Sequence, residues 1–119
     1  MCDKNKLKMI TDNMVKAILS VSNNVEKIIL FGSQARGDGE PDSDVDILVV
    51  LEIPEEQLSI IKREMRNLAS DVGLEYDELI SLVIVTKEYF ESMEHTLFYQ
   101  NVAKDGIIVY ELKTPSKLN

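Results

Sequence analysis

The chain has 119 residues, of which 45% are hydrophobic and 29% charged, with a net charge of −8. That is one ordinary globular domain, large enough for a single core and too small for two. The acidic balance excludes a broad grip on nucleic acid, which needs many lysine and arginine contacts to phosphate. The one cysteine, Cys2, excludes a disulfide framework or a multi-cysteine zinc site.

Asp3, Lys4, Asn5, Lys6 and Lys8 interrupt any apolar leader at the N-terminus. No apolar run approaches the roughly 20 residues that span a bilayer. The expectation is therefore a cytoplasmic protein: one domain over 1–113 and a disordered tail over 114–119.

In chain order, Leu7, Ile10, Met14, Ala17, Ile18 and Val21 recur at helical spacing, with Asn23 and Asn24 as a stop. Val25 to Phe31 reads as a buried strand, because β-favouring residues dominate its end. Gly32 to Ser43 holds Gly32, Gly37, Gly39 and Pro41 among polar residues, so a short turn and a loop are expected. Val45 to Leu51 is a second strand. Pro54 then opens a helix with Glu55 and Glu56 in its first turn. Its apolar face is Leu58, Ile61, Met65, Leu68, Ala69 and Val72, and Gly73 is its expected terminator. Leu79 to Val85 is a third strand. Lys87 to Lys104 is helical, in one or two pieces, and ends at Gly106. Ile107 to Tyr110 is a last, short edge strand. The fold class is α/β (α+β by some schemes), a mixed sheet of three to five strands flanked by helices. The first two strands are joined by only about a dozen residues, so that pair is antiparallel or mixed.

The chemistry concentrates in Phe31-Gly32-Ser33-Gln34-Ala35-Arg36-Gly37 and Ser43-Asp44-Val45-Asp46-Ile47-Leu48-Val49. Asp44 and Asp46 are two apart at the head of a strand, so their carboxylates share one face, with Cα atoms about 6.5–7 Å apart. Val45, Ile47, Val49 and Leu51 then point into apolar packing. Two adjacent carboxylates repel, and a hard cation relieves the repulsion. All-oxygen ligands favour Mg²⁺ or Mn²⁺ over zinc. Gly32-Ser33 directly follows a strand, where a glycine lets a phosphate approach and the amides of a new helical turn attract anions. Arg36 lies one turn on, within reach of a phosphate oxygen. An anion cradle facing a metal cage suits a nucleoside triphosphate with its metal.

Two other motifs fail. No Gly-Lys-Ser/Thr follows the glycines, so this is not a Walker P-loop. Asp42-x-Asp44-x-Asp46 opens like an EF-hand, but Ile47 and Ile53 stand where that loop requires glycine and glutamate. His95 reads as a surface residue. Tyr76, Tyr89, Phe90, Phe98 and Tyr99 read as packing residues rather than a base-stacking platform.

Gly32-Ser33, ten residues and Asp44-x-Asp46 resemble the signature of the polymerase-beta-like nucleotidyltransferases. The string FGSQARG…SDVDILV resembles their small, "minimal" antitoxin-type members. The resemblance implies that Gly32 and Ser33 hold the triphosphate of ATP or another NTP and that Asp44 and Asp46 bind two Mg²⁺ ions. It also implies a third carboxylate on a neighbouring strand. Leu79 to Val85 carries none, leaving Asp77 and Glu78 at its entrance as the candidates, with Glu78 the catalytic choice. The small relatives are often paired with a helical HEPN-type toxin, some of them modifying its tyrosine with AMP. The expected partner is therefore such a toxin or another acceptor protein. Self-association is left open, and no membrane partner is expected. The alternative is a non-catalytic nucleotide- or partner-binding module that has lost the third carboxylate.

Overall fold

The computed structural model describes residues 3–38 and 43–112. The expected tail, 114–119, lies outside the described residues. The elements run α1 (Lys4–Val21), β1 (Val25–Phe31), α2 (Gly32–Arg36), β2 (Val45–Leu51), α3 (Leu58–Tyr76), β3 (Ile80–Thr86), α4 (Lys87–Ser92), α5 (Leu97–Asp105) and β4 (Ile107–Glu111). A 3-10 turn, Glu55–Gln57, precedes α3. The expected order of elements is reproduced, with Lys87 to Lys104 divided into α4 and α5.

The four strands form one mixed sheet in the order β3-β2-β1-β4. The short connection makes β1 and β2 antiparallel, as it must when no crossover can be fitted into so few residues. The longer α3 connection makes β2 and β3 parallel. β4 returns antiparallel to β1 at the far edge.

Strand alternation gives the sheet two apolar faces, and helices cover both. On one face, Ile28 and Leu30 of β1, Val45, Ile47, Val49 and Leu51 of β2, and Leu82 and Ile84 of β3 are buried with Ile10, Met14 and Ile18 of α1 and Met65 and Ala69 of α3. The four-residue spacing within each helix turns one stripe inward. On the other face, Ile29, Leu48, Val50 and Val85 pack with Phe90 of α4 and Val102 of α5. Burial of both faces explains the nearly continuous apolar run of β2.

Three helix starts are set by side chains. Asp3 Oδ1 accepts from the Lys6 N–H at 2.7 Å and opens α1. Thr86 and Thr96 accept from the N–H groups of Tyr89 and Tyr99, each at 3.1 Å, and open α4 and α5.

Two local expectations are corrected. Pro54 caps the 3-10 turn rather than starting α3, which begins at Leu58. Gly73 does not end α3. The helix continues to Tyr76 and closes on Asp77, whose left-handed φ of 56° lets the Glu78 N–H reach Gly73 O at 2.9 Å. Gly73 is needed for another reason: a Cβ there would lie 2.6 Å from Glu78 O. The glycine marks the close return of the chain, one turn before the helix stops.

Candidate functional site

The site lies where β1 ends and β2 begins. Antiparallel pairing places Phe31 opposite Asp46, so the chain leaving β1 enters α2 beside the head of β2. Gly32 sits at that corner with φ +77°, a conformation glycine adopts without steric cost. A Cβ added at Gly32 would overlap Asp46 Oδ2. The Gly-Ser corner and the second aspartate of the Asp-x-Asp pair are therefore in direct contact.

The amides at the start of α2 receive no side-chain cap from Phe31. Ser33 is half-buried, and its carbonyl accepts from the N–H groups of Gly37 and Asp38 at 2.9 and 3.2 Å. Gln34, 7% exposed, donates from Nε2 to Ser43 O at 3.4 Å and so ties α2 to the residue before Asp44. Arg36 is exposed and donates from Nε to Asp38 Oδ2 at 3.2 Å, so it is held by the loop.

Asp44 is exposed and Asp46 half-buried. Asp46 belongs to the face that carries Leu48 and Val50, while Val45 and Ile47 point the other way into the main core. Burial raises the Asp46 pKa above the ordinary carboxylate value, and the nearby Asp44 charge raises it further. A bound cation would relieve both effects. Magnesium keeps several waters and takes one or two carboxylates together with phosphate oxygens, which fits this donor set.

Glu78 is engaged by α1. Its Oε2 is 2.8 Å from Lys6 Nζ, and its side chain is 10% exposed. Asp77 is exposed, at the cap of α3. Among the described residues, no three histidine, cysteine, aspartate or glutamate side chains gather as a metal cage. The structure thus brings Gly32 and Asp46 together but ties Glu78 to α1. The residue beside Asp46 across the parallel pair is Ser81. Sequence reading missed Ser81, because its place depends on the β2–β3 register. It also missed the tie made by Gln34, although that residue lies inside the motif. Phe98 packs edge-on against Phe31 at 5.4 Å and Phe90 lies tilted against Tyr99 at 4.8 Å, so Phe90, Phe98 and Tyr99 serve packing, whereas Tyr89 is 54% exposed and does not. His95 is exposed.

A family model described as a nucleotidyltransferase domain matches residues 12–109. A Methanocaldococcus jannaschii protein, named as a candidate protein adenylyltransferase, is 33% identical over 86 residues, 72% of this chain and 79% of its own length. The solved structure of a toxin–antitoxin complex with AMP-PNP aligns with a TM-score of 0.58 at 21% identity, covering 86% of this chain and 73% of that one. A tri-AMPylated HEPN toxin with its MNT antitoxin, from Shewanella oneidensis, aligns with a TM-score of 0.53 at 16% identity, covering 89% and 73%. The two structures share the fold, and the family match takes in both α2 and the strand that carries Asp46. With most of the chain inside that match, this protein belongs to the nucleotidyltransferase domain family.

Proposed function

We propose that this chain transfers a nucleoside monophosphate from ATP, or another NTP, to a hydroxyl on a partner protein. The observation that carries the proposal is the contact between Gly32 and Asp46. It sets the Gly-Ser corner against a carboxylate whose pKa is raised by burial and by the Asp44 charge, and a cation would relieve that charge crowding. Gly32 and Ser33 hold the phosphates, and Asp44 and Asp46 hold Mg²⁺, two ions by family resemblance. Arg36 turns from Asp38 to the triphosphate when it binds. Magnesium, when bound, supplies positive charge to the phosphate and acceptor oxygens. In the transfer, the acceptor oxygen bonds to the α-phosphorus and the bond to the β-phosphate bridge breaks. Pyrophosphate leaves, and the hydroxyl proton passes to water. The toxin–antitoxin complexes among its structural neighbours support a protein acceptor, of which a helical HEPN-type toxin is the first candidate.

The test uses ATP labelled separately at the α- and γ-phosphate, with the chain, Mg²⁺ and its co-purified partner. Label from the α position alone, lost in Asp46→Asn, is the expected result. Label from neither position would refute transfer.

A second reading is a binding module without turnover. It draws on the ion pair that engages Glu78 with Lys6 and on Ser81 standing beside Asp46. Nucleotide binding with no transfer to any partner would favour it.

A further inference from the structure

The two flanks of the aspartate pair differ. On the β1 side, α2 closes the site against Asp46. On the other side lies β3, and among the described residues no strand pairs with its outer edge. That edge is most exposed at its start, where Leu79 is exposed and Ile80 half-buried. The Leu79 carbonyl accepts from the Val45 N–H at 2.8 Å, so Leu79, and by strand alternation Ser81, turn their backbone groups toward β2. The N–H and C=O groups of Ile80 and Leu82 therefore point outward. Farther along, exposure falls, to 7% at Leu82 and 2% at Ile84. The exposed stretch is thus confined to the end nearest the aspartates. There, Ser81 is abreast of Asp46, and Val45 opposite Ile80 brings Leu79, 71% exposed, beside Asp44. A cavity of about 970 Å³ follows this edge, bounded by α3 through Ser70 and Leu74 and by Leu79, Ile80 and Leu82. Leu74 is 82% exposed.

We propose that the first half of β3 is the acceptor-docking edge, taking an extended polypeptide segment as an added strand. The inference rests on the nucleotidyl-transfer reading above. An extended segment is the occupant whose own backbone N–H and C=O groups match those of Ile80 and Leu82. Leu74 and Leu79, exposed at this edge, offer apolar contact to its side chains, in a cavity that Lys6, Arg66, Asp77 and Glu78 also line. A hydroxyl residue in that segment, carried past Ser81, meets the aspartate pair from the side that α2 leaves open. A sugar or other small hydroxyl compound makes no use of a free strand edge. The transfer itself is the one written above: oxygen to α-phosphorus, pyrophosphate out, the proton to water.

The test uses the full chain with Mg²⁺ and ATP labelled at the α-phosphate. The probes are short synthetic peptides with a central Tyr, Ser or Thr and degenerate flanks, with glycerol and ribose as small-hydroxyl controls. Amide hydrogen exchange at Ile80 and Leu82 is followed in parallel. Peptides are expected to slow exchange at both amides and to become labelled, while the controls do not. Ile80→Pro removes one outward N–H at the first position of the strand, where proline is tolerated. It is expected to cut peptide labelling by roughly fivefold or more, the worth of one lost hydrogen bond. Binding of a fluorescent ATP analogue should be unchanged. Slowed exchange without label would uphold the docking edge while refuting transfer. Labelled peptides with no slowing and no effect of Ile80→Pro would overturn the docking edge and leave transfer standing. Labelled glycerol or ribose with unlabelled, unbound peptides would overturn it as well, as would a folded, ATP-binding chain that neither binds nor labels any peptide.

Discussion

Asp46 is held at the end of an apolar face, with Asp44 close by and Gly32 touching its carboxylate. Its folded pKa is raised, so the folded chain holds the proton more tightly than the unfolded chain does. Ionisation of Asp46 therefore works against folding. That cost grows as pH rises from the ordinary carboxylate range through the raised value, and it is fully present above it. Asp46→Asn is expected to raise the metal-free melting temperature at neutral pH, by a small amount because solvent screens the half-buried carboxylate. The gain should vanish below the ordinary carboxylate range. Melting curves of both proteins across pH check this; an equal gain at every pH would contradict it. Gly32→Ala forces a left-handed φ on alanine and drives its Cβ into Asp46. The conformational part alone costs about 1–2 kcal/mol, and urea unfolding should show a loss of at least that size. Neighbouring motif residues were legible in the sequence because glycine, serine and aspartate at fixed spacing carry a local geometric meaning. The position of Glu78 was not, since its partner Lys6 lies far away in the chain.

The element scale shows where local signals compete. Thr86 ends β3, caps α4 and donates its hydroxyl to Glu55 Oε2 at 2.6 Å, all while 1% exposed. Thr86→Val keeps the volume but removes both bonds, and an N-cap alone contributes roughly 0.5–2 kcal/mol. Its unfolding free energy should fall by about that amount, with the loss largest in the exchange protection of α4. The mistaken end of α3 belongs to the same scale. A glycine in the last turns of a helical pattern has two uses: a left-handed cap, or close approach by another backbone. Gly73 serves the second, and Asp77 takes the cap instead. Nothing local in the sequence separates the two cases. Strand and helix types were legible because the apolar period differs, two residues against three or four.

At the scale of the molecule, the sheet is a partition with the main core on the α1 and α3 side and a smaller core on the α4 and α5 side. The aspartates stand at the open end of the smaller core. Leu48, 0% exposed, is the next residue inward from Asp46 on that face. Leu48→Ala should cost about 2–5 kcal/mol, the range for a leucine truncated in a packed core, and should loosen the floor beneath the site. Denaturant unfolding measures the first, and nucleotide affinity the second. Mg-ATP at about 100 times its dissociation constant should stabilise the wild type by roughly 2.7 kcal/mol, an effect lost on chelation and in the Asp44→Asn, Asp46→Asn double variant. No helix among the described residues is long and apolar enough to cross a membrane.

The sequence by itself determined the order of elements, the apolar packing of Val45, Ile47, Val49 and Leu51, and the joint presence of a Gly-Ser corner and a paired-aspartate strand. Each of these follows from interactions between residues near in the chain: periodicity, glycine conformations, the alternation of a strand. The tertiary structure alone decided which residue stands beside Asp46, what holds Glu78, and which end of β3 is most exposed. Those depend on strand register and on how α1 and α3 pack across the sheet, set by burial summed over many distant residues that no short pattern records.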